Sequence, residues 1–162
     1  MFFKITARID RRKYSYYDQF GEKNMKKVLI IYSPEKHEIR EVSDRIAEMF
    51  DEGSYSVSVK NAAGTEVPDI TASDIVLFGS EDSGKDIKNG DYKELSRALS
   101  GISLAGRKAS VFALSSEDPL ISLSEMIKDC ELTLPVKSIL LSKDGKLIKD
   151  KKIEQWIHKI CS

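Results

Sequence analysis

Three short polar clusters in this chain stand directly after runs of buried-strand character, where hydroxyls and backbone N–H groups can meet an anion. They are Ser33, Pro34, Glu35, Lys36, His37 and Glu38; Gly79 and Ser80, followed by Glu81; and Ser115, Ser116, Glu117 and Asp118. A helix start carries partial positive charge and unsatisfied amides, so a strand-to-helix junction suits a phosphate or carboxylate. The stretch Gly79-Ser80-Glu81-Asp82-Ser83-Gly84-Lys85 also satisfies the GxxxxGK part of a nucleotide phosphate loop. That match ends at Lys85: Asp86 replaces the hydroxyl that would hold magnesium, Glu81 and Asp82 repel phosphates, and Asn89 with Gly90 interrupts the helix that should follow. Glu117 and Asp118 are adjacent carboxylates, a pairing that general acid–base chemistry uses, but a capping role accounts for Asp118. His37 and His158 fall on different elements, which disfavours a histidine triad or a metal cluster. Cys130 lies on an apolar helical stripe, and Cys130 and Cys161 lack metal-ligand spacing, so both are read as buried, reduced thiols. No catalytic residue and no metal ligand is assigned.

The elements that must position these clusters follow from periodicity. Val28, Leu29, Ile30, Ile31 and Tyr32 form an unbroken run rich in β-branched residues, as in a strand covered on both faces. Ser33 is expected as the N-cap of the next helix, with Pro34 at its first position. Ile39, Val42, Ile46, Ala47 and Phe50 make its core stripe, and Gly53 is expected to supply the left-handed residue that ends it. Tyr55, Val57 and Val59 alternate with polar residues, which predicts a half-exposed strand beside the first. Val67 to Ala72 reads as connecting chain. Asp74 to Gly79 repeats the buried-strand pattern, and from Asp91 a short helix places Tyr92, Leu95 and Leu99 on one face. Ala109 to Leu114 is the next strand. Asp118 and Pro119 cap a helix with Leu120, Leu123, Ile127 and Cys130 inward. Val136 to Leu141 is the last strand, Asp144 and Gly145 make a turn, and Ile153, Trp156, Ile157 and Ile160 mark a terminal helix. Strands alternating with helices predict right-handed crossovers and a three-layer α-β-α sandwich around a mostly parallel sheet.

The chain has 162 residues, enough for one domain with its own core, and carries 26 basic and 26 acidic residues. Six basic and three acidic residues fall in Met1 to Asn24, which leaves the remainder mildly acidic. Residues 1–24 are expected to be an extension, either a flexible tail or an added edge strand drawn from Phe3, Ile5, Ala7 and Ile9. Residues 25–162 are expected to be the domain. Arg11, Arg12, Lys13, Tyr14, Tyr16 and Tyr17 share the composition of arms that stack on single-stranded nucleic acid, but the plainer reading as an extension is preferred. Neither nucleic acid nor membrane is expected as a partner. The cysteine usage and the lack of an apolar stretch of about 18 residues predict a cytoplasmic protein.

The pattern resembles the flavodoxins and flavodoxin-like proteins across Met25 to Ser162. The resemblance rests on Lys27 to Tyr32 as first strand, Asp74 to Ser80 as third, Leu104 to Leu114 as fourth, and the closing helix with Trp156. It implies a five-stranded parallel sheet of order 2-1-3-4-5, of which flavodoxin itself is a standard example, in the short form without an insertion in the last strand. It further implies FMN as cofactor and electron transfer to redox partner proteins docking on an acidic rim, by a carrier or binding protein rather than an enzyme. Carried over by position, Ser33, Pro34, Glu35, Lys36, His37 and Glu38 form the phosphate turn. Gly79 and Ser80 form the second loop, and Ser115, Ser116 and Asp118 the third. Where the family reads Thr/Ser-x-Thr-Gly-Asn-Thr, this chain has Pro34 to Ile39 without glycine or hydroxyl. After Gly79 and Ser80 no aromatic follows before Tyr92, and of the family's third loop Asp118 is the close echo. The alternative expectation is therefore a flavin-free member that keeps the scaffold as an interaction or sensing module.

Overall fold

A computed structural model describes residues 24–81, 87, 89–142 and 150–162. The expected extension up to residue 23, most of the phosphate-loop-like stretch after Glu81 and the Asp144–Gly145 turn lie outside these residues. In chain order the elements are β1 (Lys26–Tyr32), α1 (His37–Glu48), β2 (Tyr55–Asn61), a 3₁₀ turn (Ala62–Gly64), α2 (Val67–Thr71), β3 (Ile75–Ser80), α3 (Lys93–Leu99), β4 (Lys108–Leu114), α4 (Asp118–Ile127), β5 (Ile139–Leu141) and α5 (Asp150–Cys161). Among the described residues the strands of the sheet pair in parallel, in the order β2-β1-β3-β4-β5, as the resemblance implies.

The centre of the sheet is β1, because its alternate residues feed two separate cores. Val28, Ile30 and Tyr32 join Ile39, Val42, Ile46 and Phe50 of the α1 side with Ile153, Trp156, Ile157 and Ile160 of α5. Leu29 and Ile31 face the opposite way, with Ile70, Tyr92, Leu95, Leu99, Leu123 and Ile127 from the α2, α3 and α4 side. Fully burying one such aliphatic side chain is worth about 1.5–3 kcal/mol, so a strand dry on both faces anchors both layers at once. The edge strand β2 alternates half-buried Tyr55, Val57 and Val59 with exposed Ser56 and Ser58. Trp156 is core: its ring meets Phe112 edge-on at 6.0 Å and its indole N–H donates to Ser110 Oγ at 3.0 Å.

Several local expectations are corrected. The first helix begins at His37 with Lys36 at the cap position, not at Ser33 and Pro34. Ser33 is drawn into the sheet edge instead, Lys36 N–H turns back to Pro34 O at 2.8 Å, and the first helical bond runs from Arg40 N–H to Lys36 O at 3.2 Å. The same helix ends at Glu48 with Met49 in a right-handed conformation, and Gly53 is not left-handed. Val67 to Thr71 is a helix rather than connecting chain: Pro68 suits its first turn, and Glu66 N–H donates to Asp69 Oδ2 at 2.9 Å. The third strand starts at Ile75 rather than Asp74 and ends at Ser80, as the resemblance implies; α3 starts two residues later than Asp91, and β5 is only Ile139–Leu141, with Val136 packing from outside it. Asp118 is the first residue of α4 rather than its cap, which is Glu117. Cys130 is buried, which raises its thiol pKa, but Cys161 is only half-buried at the end of α5.

Gly79 has a packing reason to be glycine. A Cβ placed there would lie 2.0 Å from Cζ of Phe112, whose fully buried ring is held against Trp156. Gly79→Ala is expected to cost about 1–3 kcal/mol by overpacking. Urea unfolding checks this, and adding Phe112→Leu should recover part of the loss; an unchanged midpoint for Gly79→Ala would contradict it.

Candidate functional site

A parallel sheet brings the loops after β1, β3 and β4 to one edge, and here the first two are bonded together. Ser33 N–H donates to Gly79 O at 3.2 Å, and Glu81 N–H donates to Ser33 O at 3.0 Å. The Ser33 hydroxyl donates to Ser80 Oγ at 3.0 Å, and both serines are fully buried. Beneath them Tyr92, also fully buried, sets its hydroxyl against both strands: it lies 2.9 Å from Gly79 O and 3.1 Å from Ile31 O, and accepts from Gly79 N–H at 3.2 Å. Tyr92 is thus a brace inside the α3 layer, not a surface aromatic.

Sequence reasoning places Tyr92 in the core stripe of α3 but misses this hydroxyl bridge, and misses Asn61 altogether. Asn61 ends β2 at the same edge, donating to Asp91 Oδ2 at 2.9 Å and to Tyr32 O at 3.4 Å while accepting from Ala63 N–H at 2.8 Å. A polar residue closing a strand at the ligand-binding edge was the available signal.

The turn after β1 carries its charges in an ordered way. Tyr32, only 3% exposed, points its hydroxyl at the Glu35 carboxylate, 2.7 and 2.9 Å from its two oxygens. Arg40 adds a guanidinium nitrogen 3.5 Å from Glu35 Oε1. Burial, and then the hydrogen bond and charge of Glu35, push the Tyr32 phenol up to about 12. Lys36, His37 and Glu38 are exposed around the start of α1, and His37 Nε2 lies 3.7 Å from Glu41. Pro34 is half-buried between them.

The third loop is held differently. Ser115 takes a left-handed φ of 74°, unusual for a residue with a side chain, and its N–H donates to Leu141 O at 2.9 Å, which ties the loop to β5. Ser116 Oγ accepts from Asp118 N–H at 3.2 Å, with Ser115 and Asp118 exposed and Ser116 half-buried. A cleft of about 680 Å³ lies on the far side of this loop, between α4 and β5, lined by Val111, Glu117, Leu120, Leu134, Val136 and Leu140. It touches the third loop only at Glu117, and none of the expected site residues lines it. Among the described residues no group of three or more His, Cys, Asp or Glu is placed to hold a metal ion, and no helix is long and apolar enough to cross a membrane.

Two phenols give these arrangements a pH signature. Tyr55 is also pushed up to about 12, by the Cys161 thiol beside it and then by burial. A phenol with its pKa raised on folding adds stability that is intact below the ordinary value near pH 10 and is lost as pH rises through the folded value. Stability should therefore fall between about pH 10 and pH 12. Ultraviolet titration of the native chain should show Tyr32→Phe and Tyr55→Phe each deleting one late-ionising phenol; early ionisation of either would contradict the geometry.

No protein-family model matches the chain. Over 97 residues it is 31% identical to a flavodoxin of Maridesulfovibrio salexigens, a similarity covering 58% of this chain and 66%, just under two thirds, of that protein. Among solved structures, oxidised flavodoxin 2 of Bacillus cereus superposes with a TM-score of 0.71 at 18% identity, covering 83% of this chain and 97% of that one. A Fusobacterium nucleatum flavodoxin variant bound to flavin mononucleotide gives 0.66 at 12% identity, over 85% of this chain and 96% of its own. At such identities the structural likeness speaks for the fold, and it agrees with the sheet order and the layering found here. Together with the sequence similarity to a curated flavodoxin, it shows that this chain has the flavodoxin-like fold.

Proposed function

We propose that the chain binds FMN at the carboxyl edge of its sheet and carries electrons between redox partner proteins in the cytoplasm. The observation that carries this reading is the joining of the β1 and β3 loops through Ser33, Gly79, Ser80 and Glu81, which builds one continuous rim from two sequence-distant segments. A bound flavin would supply the redox chemistry; the chain's own residues would hold and orient it. Lys36 and His37 bring exposed cationic and hydrogen-bonding groups to the start of α1, where a phosphate gains from the helix field. Gly79, Ser80, Ser115, Ser116 and Asp118 would border the ring, with Pro34, Glu35 and Glu38 completing the turn.

The donor set suits the phosphate end better than the ring. An aromatic stacked on a flat ring adds about 0.5–1.5 kcal/mol beyond burial, and Tyr92 cannot supply it from the interior. That burial favours the second reading, a flavin-free module that keeps the scaffold for interaction or sensing.

The absorption spectrum of the purified full chain, followed by fluorescence titration with FMN, separates the two. Flavin bands or saturable quenching at micromolar concentrations is the expected result; a colourless protein that leaves FMN fluorescence unchanged overturns the flavin reading. We further propose that residues 1–24 are an extension to the domain of residues 25–162. Its deletion should leave the melting temperature unchanged, and a clear drop would make it part of the packed structure.

A further inference from the structure

The geometry points to Tyr32, assisted by Arg40, as a positioning residue that holds the Glu35 carboxylate off the path of an incoming phosphate. This inference rests on the flavin reading above. In the turn after β1, Glu35 stands two residues before α1, so an extended side chain there would bring a full negative charge to the helix start that a phosphate must approach. The structure shows another course. The carboxylate bends back over the end of β1, where both oxygens lie within 2.9 Å of the Tyr32 hydroxyl. Arg40, one turn into α1, adds a guanidinium nitrogen 3.5 Å from Oε1, the same oxygen that Tyr32 meets at 2.7 Å.

The two partners differ in kind. The Arg40 contact is solvent-exposed, with 61% of the Arg40 and 56% of the Glu35 side chain accessible, and such pairs hold a side chain only loosely. Tyr32 is only 3% exposed and belongs to the same buried core as Ile39, Val42, Phe112 and Leu114, which holds its ring and so its hydroxyl in place. Burial and the neighbouring carboxylate keep that phenol protonated, hence a donor, up to about pH 12. A donor that cannot move and does not ionise is what can hold a flexible, charged side chain in one place. Of the remaining charges near the helix start, His37 lies beside Glu41, while Lys36 and Glu38 oppose each other in sign. The position of Glu35 therefore tips the balance met by a dianion.

Riboflavin, which lacks the phosphate, separates this role from simple packing. FMN and riboflavin are each titrated into the full chain as wild type, as Tyr32→Phe and as Tyr32→Phe with Glu35→Gln, with melting temperatures recorded for all three. Releasing a carboxylate toward a dianion should weaken FMN binding by about ten-fold and shift riboflavin by less than about two-fold. Adding Glu35→Gln should restore FMN affinity, because the neutral amide repels nothing, and both variants share any packing defect of the Phe. Equal losses for the two flavins, no loss, or no rescue would overturn the positioning role while leaving the flavin reading intact. A wild type that binds neither flavin would overturn that reading, and this role with it.

Discussion

The structure depends on one strand being dry on both faces. Because side chains alternate across a strand, β1 can give Val28, Ile30 and Tyr32 to one core and Leu29 and Ile31 to the other. Neither helical layer touches the other through the sheet, so β1 is the common floor on which both are registered. Its neighbours pair with it along its length, Lys26 to Tyr32 against Tyr55 to Asn61 on one side and Val28 to Ile31 against Ile75 to Phe78 on the other. A polar residue in the middle of this strand would lose apolar burial in one core and leave an unmatched group there, which no single helix position would do.

That floor sets where the candidate site can be. Right-handed crossovers in a parallel sheet bring every strand-to-helix loop to the carboxyl edge, and the edge is then tightened by contacts of long sequence separation. Ser33 and Ser80, 47 residues apart, bond beneath the rim, and the Tyr92 hydroxyl spans β1 and β3 from the α3 layer. On the opposite face the ring of Phe112 occupies the space that a side chain at Gly79 would need, and Trp156 holds that ring. The second loop is thus fixed from both sides, while the outer turn from Glu35 to Glu38 and, on the third loop, Glu117 and Asp118 present exposed, charged groups.

The charges of that turn do little for stability. Exposed ion pairs such as Arg40 with Glu35 contribute about 0–1 kcal/mol each. Their consequence is directional: they decide which sign of charge a ligand meets at the start of α1. A helix start lined by Pro34, Glu35 and Glu38 looks hostile to an anion when read as a string. With Glu35 bent back onto Tyr32 and Arg40, the same residues present Lys36, His37 and the helix field outward. Scaffold and candidate binding turn have in this way followed different constraints, the first set by burial and the second by electrostatics.

What the sequence determined on its own was the part governed by local periodicity. The β-branched run Val28 to Tyr32, the stripe Ile39, Val42, Ile46 of α1 and the stripe Ile153, Trp156, Ile157, Ile160 of α5 each encode burial at a repeat that a single element enforces. From these the three layers and a mostly parallel sheet could be read before any coordinate, whereas the strand order and the loops of the candidate site were implied by the resemblance to the flavodoxins. Local signals misled where a distant partner outbid them: Ser33 carries the chemistry of an N-cap, yet Ser80 and the β3 backbone claim it, which delays the helix to His37. Only the tertiary structure decided that Gly79 yields to Phe112 and that the Tyr92 hydroxyl braces two strands. Each depends on where a side chain from another segment comes to rest, and no periodicity along the chain records such a meeting.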